Sequence, residues 1–205
     1  GEQWMSNKPK IAVIIGSIRP NRRGGDVGKW VAEQAKAYGA FDVEIVDLKD
    51  YPLPLFDAPA SDFWMPTPNE TAAKWQSKLS EFDGYIVVTA EYNRSVPGAL
   101  KNAIDWAYKP FIKKAVAYVS YGSVGGARAV EHLRNIMTEL QAVSVRHGVH
   151  IGGSEFASVF MGQKTWDEAL PTFAPFTKEL FDNLLWWTDA TRAARADDIA
   201  AAKAA

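Results

Sequence analysis

The sequence predicts an α/β fold in which helices cover both faces of a doubly wound, five-stranded parallel sheet. Short, continuously apolar and β-branched segments are typical of buried parallel strands; they occur at residues 11–15, 43–46, 85–89 and 115–119, with a weaker fifth around 149–151. Segments with helical spacing of apolar residues lie between them, at residues 27–38, 72–82, 99–106 and 127–145. Because strands alternate with helices, right-handed crossovers generate a parallel sheet with both faces covered.

Two further segments have the spacing of a helix-opening capping box. Thr67 is followed by proline and, three residues on, by Glu70, which predicts the start of the second helix. Thr165 and Glu168 repeat that spacing and predict another helix that extends to about Trp187.

Composition limits the function classes. The chain has 205 residues, 47% of them hydrophobic, and a net charge of -1, which suits one globular domain and disfavours nucleic acid as a partner. The absence of cysteine excludes disulfides and thiolate chemistry, so any redox activity requires a bound cofactor. We expect one domain over residues 5–190, an alanine-rich tail over 191–205, a start at Met5 after vector-derived residues 1–4, and a cytoplasmic location without a membrane span.

The loop after the first strand has the composition of a phosphate site. Ligands of doubly wound sheets bind outside the carboxyl ends of the strands, where the winding direction reverses. A strand-to-helix turn aims backbone amides at one point, Ser17 and Arg19 offer further donors, Asn21 lies between them and the helix, and Gly24 and Gly25 permit close approach. The alternative is a surface turn with solvated arginines. Neither the Rossmann glycine pattern nor a Walker loop follows this strand.

The loop after the third strand combines Tyr92, Asn93 and Ser95 beside a Pro-Gly helix start, which suits a planar, hydrogen-bonding ring. Glu91 could transfer protons, but the favoured interpretation is that it only shapes and satisfies the turn. Two other kinds of catalytic site are disfavoured by the sequence. Ser123 lacks the first glycine of a hydrolase nucleophile elbow. His147 and His150 are expected to be solvated surface residues rather than metal ligands.

Three motifs together resemble the NADPH-dependent FMN reductase family over residues 10–153. They are Gly-Ser-Ile-Arg from Gly16, Glu-Tyr-Asn-x-Ser-x-Pro-Gly-x-Leu-Lys-Asn-Ala-Ile-Asp-Trp from Glu91, and Tyr-Gly-x-x-Gly-Gly-x-Arg from Tyr121. The resemblance implies a flavodoxin-like, three-layer fold with strand order 2-1-3-4-5. It also implies noncovalently bound FMN, with NADPH or NADH as co-substrate.

The resemblance assigns cofactor contacts residue by residue. Ser17 and Arg19 bind the FMN phosphate. The other positions contact or border the isoalloxazine ring, those after the third strand largely through backbone atoms: Glu91, Tyr92, Asn93, Ser95, Tyr121, Gly122 and Gly125. The chain has Arg22-Arg23-Gly24-Gly25 where family members often have serine or threonine, which leaves open which groups complete the phosphate site, and Ala90 where they often have proline.

The implied activity is a hydride transfer from NADPH or NADH to FMN, followed by electron transfer to a quinone, a free flavin, an azo dye or a metal oxyanion in a ping-pong sequence, with no catalytic side chain required. The alternatives are a flavodoxin-type electron carrier, which is usually strongly acidic, and a flavin-dependent redox sensor. Arg22 and Arg23 are candidate contacts for the 2′-phosphate of NADPH.

The apolar segment 51–68, or the helix over 99–106, is expected to pack against a second subunit in a homodimer or homotetramer, with self-packing as the alternative.

Overall fold

The structure, a computed structural model, describes residues 7–21 and 23–204; the expectations for residues 1–5 and for Arg22 fall outside these ranges. Five parallel strands form one sheet: β1 (Lys10–Ile15), β2 (Asp42–Asp47), β3 (Gly84–Ala90), β4 (Ala115–Tyr121) and β5 (Val143–Ile151). Their order is β2-β1-β3-β4-β5, which confirms the predicted topology.

Helices cover both faces of the sheet, as predicted. They are α1 (Gly24–Tyr38), α2 (Glu70–Ser80), α3 (Gly98–Asp105), α4 (Ala127–Glu139), α5 (Gly153–Phe160), α6 (Trp166–Ala169) and α7 (Thr177–Ala204). One face buries Val31 of α1 and Phe181 of α7, and the other buries Trp75, Leu100 and Leu133 of α2, α3 and α4. Every residue of β3 and β4 is buried because these strands lie between the two helical layers. None of the described helices combines the length and apolar character needed to cross a membrane.

The predicted boundary between the fourth helix and the fifth strand was wrong. α4 ends at Glu139 rather than near residue 145, because Gln141 adopts a φ of 58° that a right-handed helix cannot continue. β5 then runs from Val143, longer than the predicted 149–151. It lies at the edge of the sheet, so its polar residues Arg146 and His147 interrupt the apolar pattern that sequence reasoning requires of a strand.

The capping predictions had mixed outcomes. Thr165 forms the predicted capping box with Glu168, but α6 ends after one turn and a 3₁₀ segment (Leu170–Phe176) containing two prolines follows it. The prediction for Thr67 was wrong: Asn69 is the N-cap of α2, and its Oδ1 accepts a hydrogen bond from the Ala72 amide at 2.9 Å. Helix α5 was not predicted.

The segment expected to be a tail continues α7 without a break to Ala204. Arg192 and Arg195 approach the carboxylate of Asp83 at 3.6 and 3.4 Å, and Arg195 donates a hydrogen bond to the Lys113 carbonyl at 2.7 Å. These contacts hold the last turns of α7 against the loops at the amino ends of β3 and β4.

A half-buried lysine lies beside these contacts. Lys114 Nζ donates a hydrogen bond to the Tyr85 hydroxyl at 3.3 Å. Burial, together with the nearby positive charge of Arg195, lowers the pKa of Lys114 to about 8, while Asp83 opposes the shift. The protonated amine is therefore less favourable in the folded protein than in water.

Replacing Lys114 with methionine is expected to raise the free energy of unfolding at pH 7 by about 1–3 kcal/mol, because a poorly solvated charge is removed. The folded pKa lies below the unfolded value of 10.5, so wild-type stability rises with pH from about 8 to 10.5 and the advantage of the variant shrinks over that window. Urea unfolding at pH 7 and pH 10 measures both. The exposed Lys74→Met serves as a control without this pH dependence, and a Lys114→Met effect that is equal at both pH values would contradict the assignment.

Candidate functional site

The carboxyl ends of β1, β3 and β4 open onto a cavity of about 720 Å³. Its lining includes six of the predicted site residues, which come from three different loops: Arg19, Asn21, Glu91, Tyr92, Tyr121 and Gly122. A further wall is made by α5, which sequence reasoning did not identify. The cavity thus lies at the sheet edge where ligands of doubly wound folds bind.

The loop after β1 is attached directly to the neighbouring strand. The Gly16 amide donates a hydrogen bond to the Val88 carbonyl at 3.0 Å, and the buried Ser17 places its Oγ 3.2 Å from the hydroxyl of Tyr92. The Arg19 guanidinium lies over the Tyr92 ring, 5.5 Å from its centroid. The loops after β1 and β3 are therefore in direct contact.

The amino end of α1 completes this side of the cavity. Arg23 is the N-cap residue of α1, and its side chain makes no hydrogen bond to the backbone amides of the first turn. A Cβ at Gly24 would lie 2.7 Å from the Tyr121 hydroxyl, so glycine is needed for this close approach. Gly25 follows in the first turn, and Arg23, the described member of the predicted 2′-phosphate pair, lines the cavity. The amino end of a helix, a glycine at close approach and nearby arginines fit the phosphate of FMN.

The loop after β3 is a tight two-residue turn. Tyr92 and Ser95 exchange backbone hydrogen bonds of 2.9 and 3.0 Å around Asn93 and Arg94, both of which have positive φ, as in a type I′ turn. Ser95 Oγ lies 2.7 Å from Nδ1 of His132 on α4 and does not line the cavity. Ser95 thus closes the turn after β3 and anchors it to α4.

The Glu91 carboxylate is committed to α4. Its side chain is 5% exposed, it pairs with the guanidinium of Arg128, and it accepts hydrogen bonds from the amides of Arg128 and Ala129 at 3.1 and 3.4 Å. A carboxylate at a helix amino terminus is stabilised by the helix dipole. The Glu91 amide also donates to the Tyr121 carbonyl at 3.2 Å, which supports the interpretation that Glu91 shapes the turn.

The loop after β4 turns sharply at Gly125 and Gly126, which have φ values of 77° and 74°. A Cβ at Gly126 would lie 2.7 Å from the Cβ of Ser120, so this position needs glycine for space as well as for conformation. Ser120 Oγ donates to the Gly125 carbonyl at 2.6 Å and lies 2.7 Å from Nδ1 of His150. Ser120 therefore holds the turn on which Gly122 faces the cavity.

His150 on β5 is exposed, as expected of a surface histidine, whereas His147 is partly buried. His150 Nδ1 contacts Ser120 Oγ, and the partial loss of solvent around the ring lowers the pKa of His150, with a further lowering by Arg134. His147 Nε2 lies 3.2 Å from a carboxylate oxygen of Glu179. These partners cannot be inferred from a His-x-x-His spacing, because they come from β4 and α7.

Sequence comparison places the chain in a family. A profile of the NADPH-dependent FMN reductase family matches residues 9–155. An NAD(P)H-dependent FMN reductase of Schizosaccharomyces pombe is 38% identical over 138 residues, which make up 66% of this chain and 68% of the relative. A quinone reductase of Pseudomonas putida is 30% identical over 197 residues, which make up 92% of this chain and 100% of the relative.

Structural comparison agrees. The flavoenzyme NAD(P)H:(acceptor) oxidoreductase FerB of Paracoccus denitrificans superposes with a TM-score of 0.66 at 25% identity, over 86% of this chain and 97% of that chain. Because the family profile covers more than half of the chain, the protein belongs to the NADPH-dependent FMN reductase family. Membership confirms the predicted class, an oxidoreductase with a flavodoxin-like fold that uses FMN and NAD(P)H.

Replacing Glu91 with alanine is expected to lower the free energy of unfolding by about 2 kcal/mol, because the two α4 amides and Arg128 lose their shared acceptor. Urea unfolding of the flavin-free protein measures the change. Glu70→Ala, which removes an exposed ion pair with Lys74, is the control and should change stability by less than about 0.5 kcal/mol. A Glu91→Ala protein of normal stability but without turnover would instead indicate a proton-transfer role.

Proposed function

We propose that this protein is an NAD(P)H-dependent, FMN-containing oxidoreductase that passes electrons to a quinone, a free flavin or a similar acceptor by a ping-pong mechanism. The observation that carries the proposal is that residues of the loops after β1, β3 and β4 line one cavity. Arg19 and Arg23 lie in one part of its wall, and Tyr92 lies in another. Relatives named FMN reductase and quinone reductase support the choice of acceptors.

The phosphate would be held by the loop after β1. Arg19 and Arg23 line the cavity, and Arg23 directly precedes the amino end of α1, so a dianion held there would gain from the helix dipole and from charge-assisted hydrogen bonds. Ser17 is fixed beside this site by Tyr92. The contact between Ser17 and Tyr92 also fixes the distance between the loop after β1 and the loop after β3.

The ring would lie against the turn at Tyr92 and the glycine turn at Gly122, which are both part of the cavity wall. When bound, FMN supplies the hydride acceptor and the electron donor. The protein positions the ring and the substrates: Glu91 is bound to α4 and Tyr92 to Ser17, so neither side chain is placed to act as the general base of a reaction. If one open ring face serves both substrates in turn, ping-pong kinetics follow.

A steady-state assay with NADPH or NADH, FMN and a benzoquinone tests the activity. We expect nicotinamide oxidation that depends on the quinone, with parallel double-reciprocal lines when the quinone concentration is varied. Intersecting lines would contradict the ping-pong sequence. Bound flavin without nicotinamide oxidation above background would overturn the proposal and favour an electron carrier.

Replacing Arg19 with alanine is expected to weaken FMN binding by about 10- to 100-fold, because charge-assisted hydrogen bonds to the phosphate are lost. Riboflavin has no phosphate, so its affinity should stay near the wild-type value. Flavin fluorescence titrations of both ligands measure the difference, and the exposed Arg146→Ala is the matched control. Equal weakening of both flavins would show that Arg19 acts on the ring or on folding.

We also propose that the protein is a homodimer or homotetramer. The segment 51–68 is tied to α3, because Asn102 and Trp106 both donate to the Pro54 carbonyl at 2.8 Å. Despite this internal packing, Leu55 is 83% and Trp64 79% exposed. Apolar side chains held outward on an ordered segment suit a subunit interface.

Light scattering at micromolar concentration is expected to give the mass of a dimer or larger for the wild type. A Leu55→Asp, Trp64→Asp double variant should give a monomer, because two charges would be buried in the interface. Trp186→Asp, at an exposed apolar position on α7, controls for loss of surface hydrophobicity. A monomeric wild type would contradict this proposal.

A further inference from the structure

A half-buried amine lies at the amino ends of β3 and β4, at the opposite end of the strands from the cofactor cavity. Lys114 directly precedes β4, and its Nζ donates a hydrogen bond of 3.3 Å to the Tyr85 hydroxyl and lies 5.7 Å from the centroid of that ring. Among the residues that the structure describes, no carboxylate forms an ion pair with this nitrogen. The function proposed above makes no use of this amine.

Tyr85 does not compensate a charge on this amine. Its hydroxyl donates to the carbonyls of Leu79 and Pro110 at 2.7 Å each, so its oxygen serves Lys114 only as an acceptor. Burial raises the pKa of Tyr85 well above its ordinary value, so the phenol stays neutral. Because the pKa of Lys114 is itself lowered to about 8, a substantial fraction of the amine is unprotonated near neutral pH. An unprotonated, poorly solvated lysine amine is a nucleophile.

The charges around Lys114 favour an anion over a cation at this position. After burial, the positive charge of Arg195 is what most lowers the pKa of Lys114, and Asp83 opposes it. Asp83 is shared, because Arg192 and Arg195 approach its carboxylate at 3.6 and 3.4 Å and the Lys10 amide donates to it at 2.9 Å. Asp83 would repel an anion on Lys114, but these three groups already compensate its charge. Such an anion would attract Arg195, which the ammonium repels.

Carbon dioxide is the electrophile that fits these features. It converts a neutral amine into an anionic carbamate and needs no activated donor. Acylation by an acyl phosphate or a thioester would leave a neutral amide, which gains no charge attraction from Arg195. Carbon dioxide is also small and uncharged, so it can reach the Lys114 side chain, which is only partly exposed.

We propose that Lys114 is a modification site at which dissolved CO2 forms a carbamate that pairs with Arg195. The ammonium first gives a proton to solvent, and the Nζ lone pair then forms a bond to the carbon of CO2. One C–O π pair moves onto oxygen and the nitrogen gives a second proton to solvent, so no group leaves and nothing is oxidised or reduced. The carbamate replaces a cation with an anion beside the contacts that hold the end of α7 to β3 and β4. The inference does not depend on the proposed oxidoreductase activity.

Chemical trapping of the full chain at pH 7.5 tests the site directly. Triethyloxonium converts a carbamate into a stable ethyl carbamate, which peptide mass spectrometry locates. At subsaturating CO2 we expect a yield on Lys114 about 100-fold above that of an ordinary solvated lysine, because a pKa of about 8 leaves far more neutral amine. Lys74, whose side chain is 71% exposed, is the control in the same digest. No ethyl carbamate on Lys114, or an equal yield on Lys74, would overturn the inference.

Two variants test the role of the charges. Arg195→Gln is expected to lower the yield on Lys114 by about 10-fold, because the carbamate loses its charged partner. Arg146→Gln, at an exposed arginine of β5, is the matched control, and far-UV circular dichroism checks that both variants are folded. Equal yields in the two variants would contradict the pairing with Arg195.

Urea unfolding in CO2-free and CO2-equilibrated buffer, at equal pH and ionic strength, measures the effect on the fold. A modification that forms on the folded chain stabilises it, so the wild-type midpoint should rise with CO2. The midpoint of Lys114→Met should stay the same in both buffers. A rise of equal size in Lys114→Met would assign the effect of CO2 to another site and overturn the inference.

Discussion

The contact between the loop after β1 and the carboxyl ends of β3 and β4 is the constraint on which the site depends. Ser17 reaches the hydroxyl of Tyr92, and the α1 backbone at Gly24 approaches the hydroxyl of Tyr121 so closely that no side chain fits between them. Tyr92, in the loop after β3, thus contacts the loop after β1, and Tyr121, at the end of β4, lies against the amino end of α1. A parallel sheet makes this possible, because its strands all deliver their carboxyl ends to one edge.

Behind that edge, polar groups hold the loops in shape. Glu91 connects the loop after β3 to the amino end of α4, and Ser120 connects the glycine turn after β4 to His150 of the edge strand. Glu91 and Ser120 both form hydrogen bonds to backbone atoms and to a neighbouring side chain. This arrangement fits a flavoprotein in which the cofactor carries the chemistry and the chain supplies orientation. It also explains why the titratable side chains of the motifs are poor candidates for acid–base catalysis.

The chain divides the cavity between two kinds of element. The loops of the family motifs form the side that fits FMN, and α5, from beyond the matched region, forms an aromatic side next to Arg23. Trp166 connects the two sides, because its ring contacts both Phe156 of α5 and Tyr121 of β4.

Local patterns in the chain were enough for the strand order, the helices on both faces and the three loops, because continuous apolar strands and loop motifs are short-range features. They were not enough for the α4 boundary at Gln141, the length of β5 or the N-cap at Asn69, where one backbone angle or one side-chain contact outweighs periodicity. The contacts of Ser95, His150 and Phe160 depended on packing, since their partners lie 30 or more residues away along the chain: His132 for Ser95, Ser120 for His150 and Arg23 for Phe160. The crossovers of the sheet bring such pairs together. The amino-acid sequence by itself therefore determines which chemical groups the site contains, and the three-dimensional packing determines which of their side chains face the ligand.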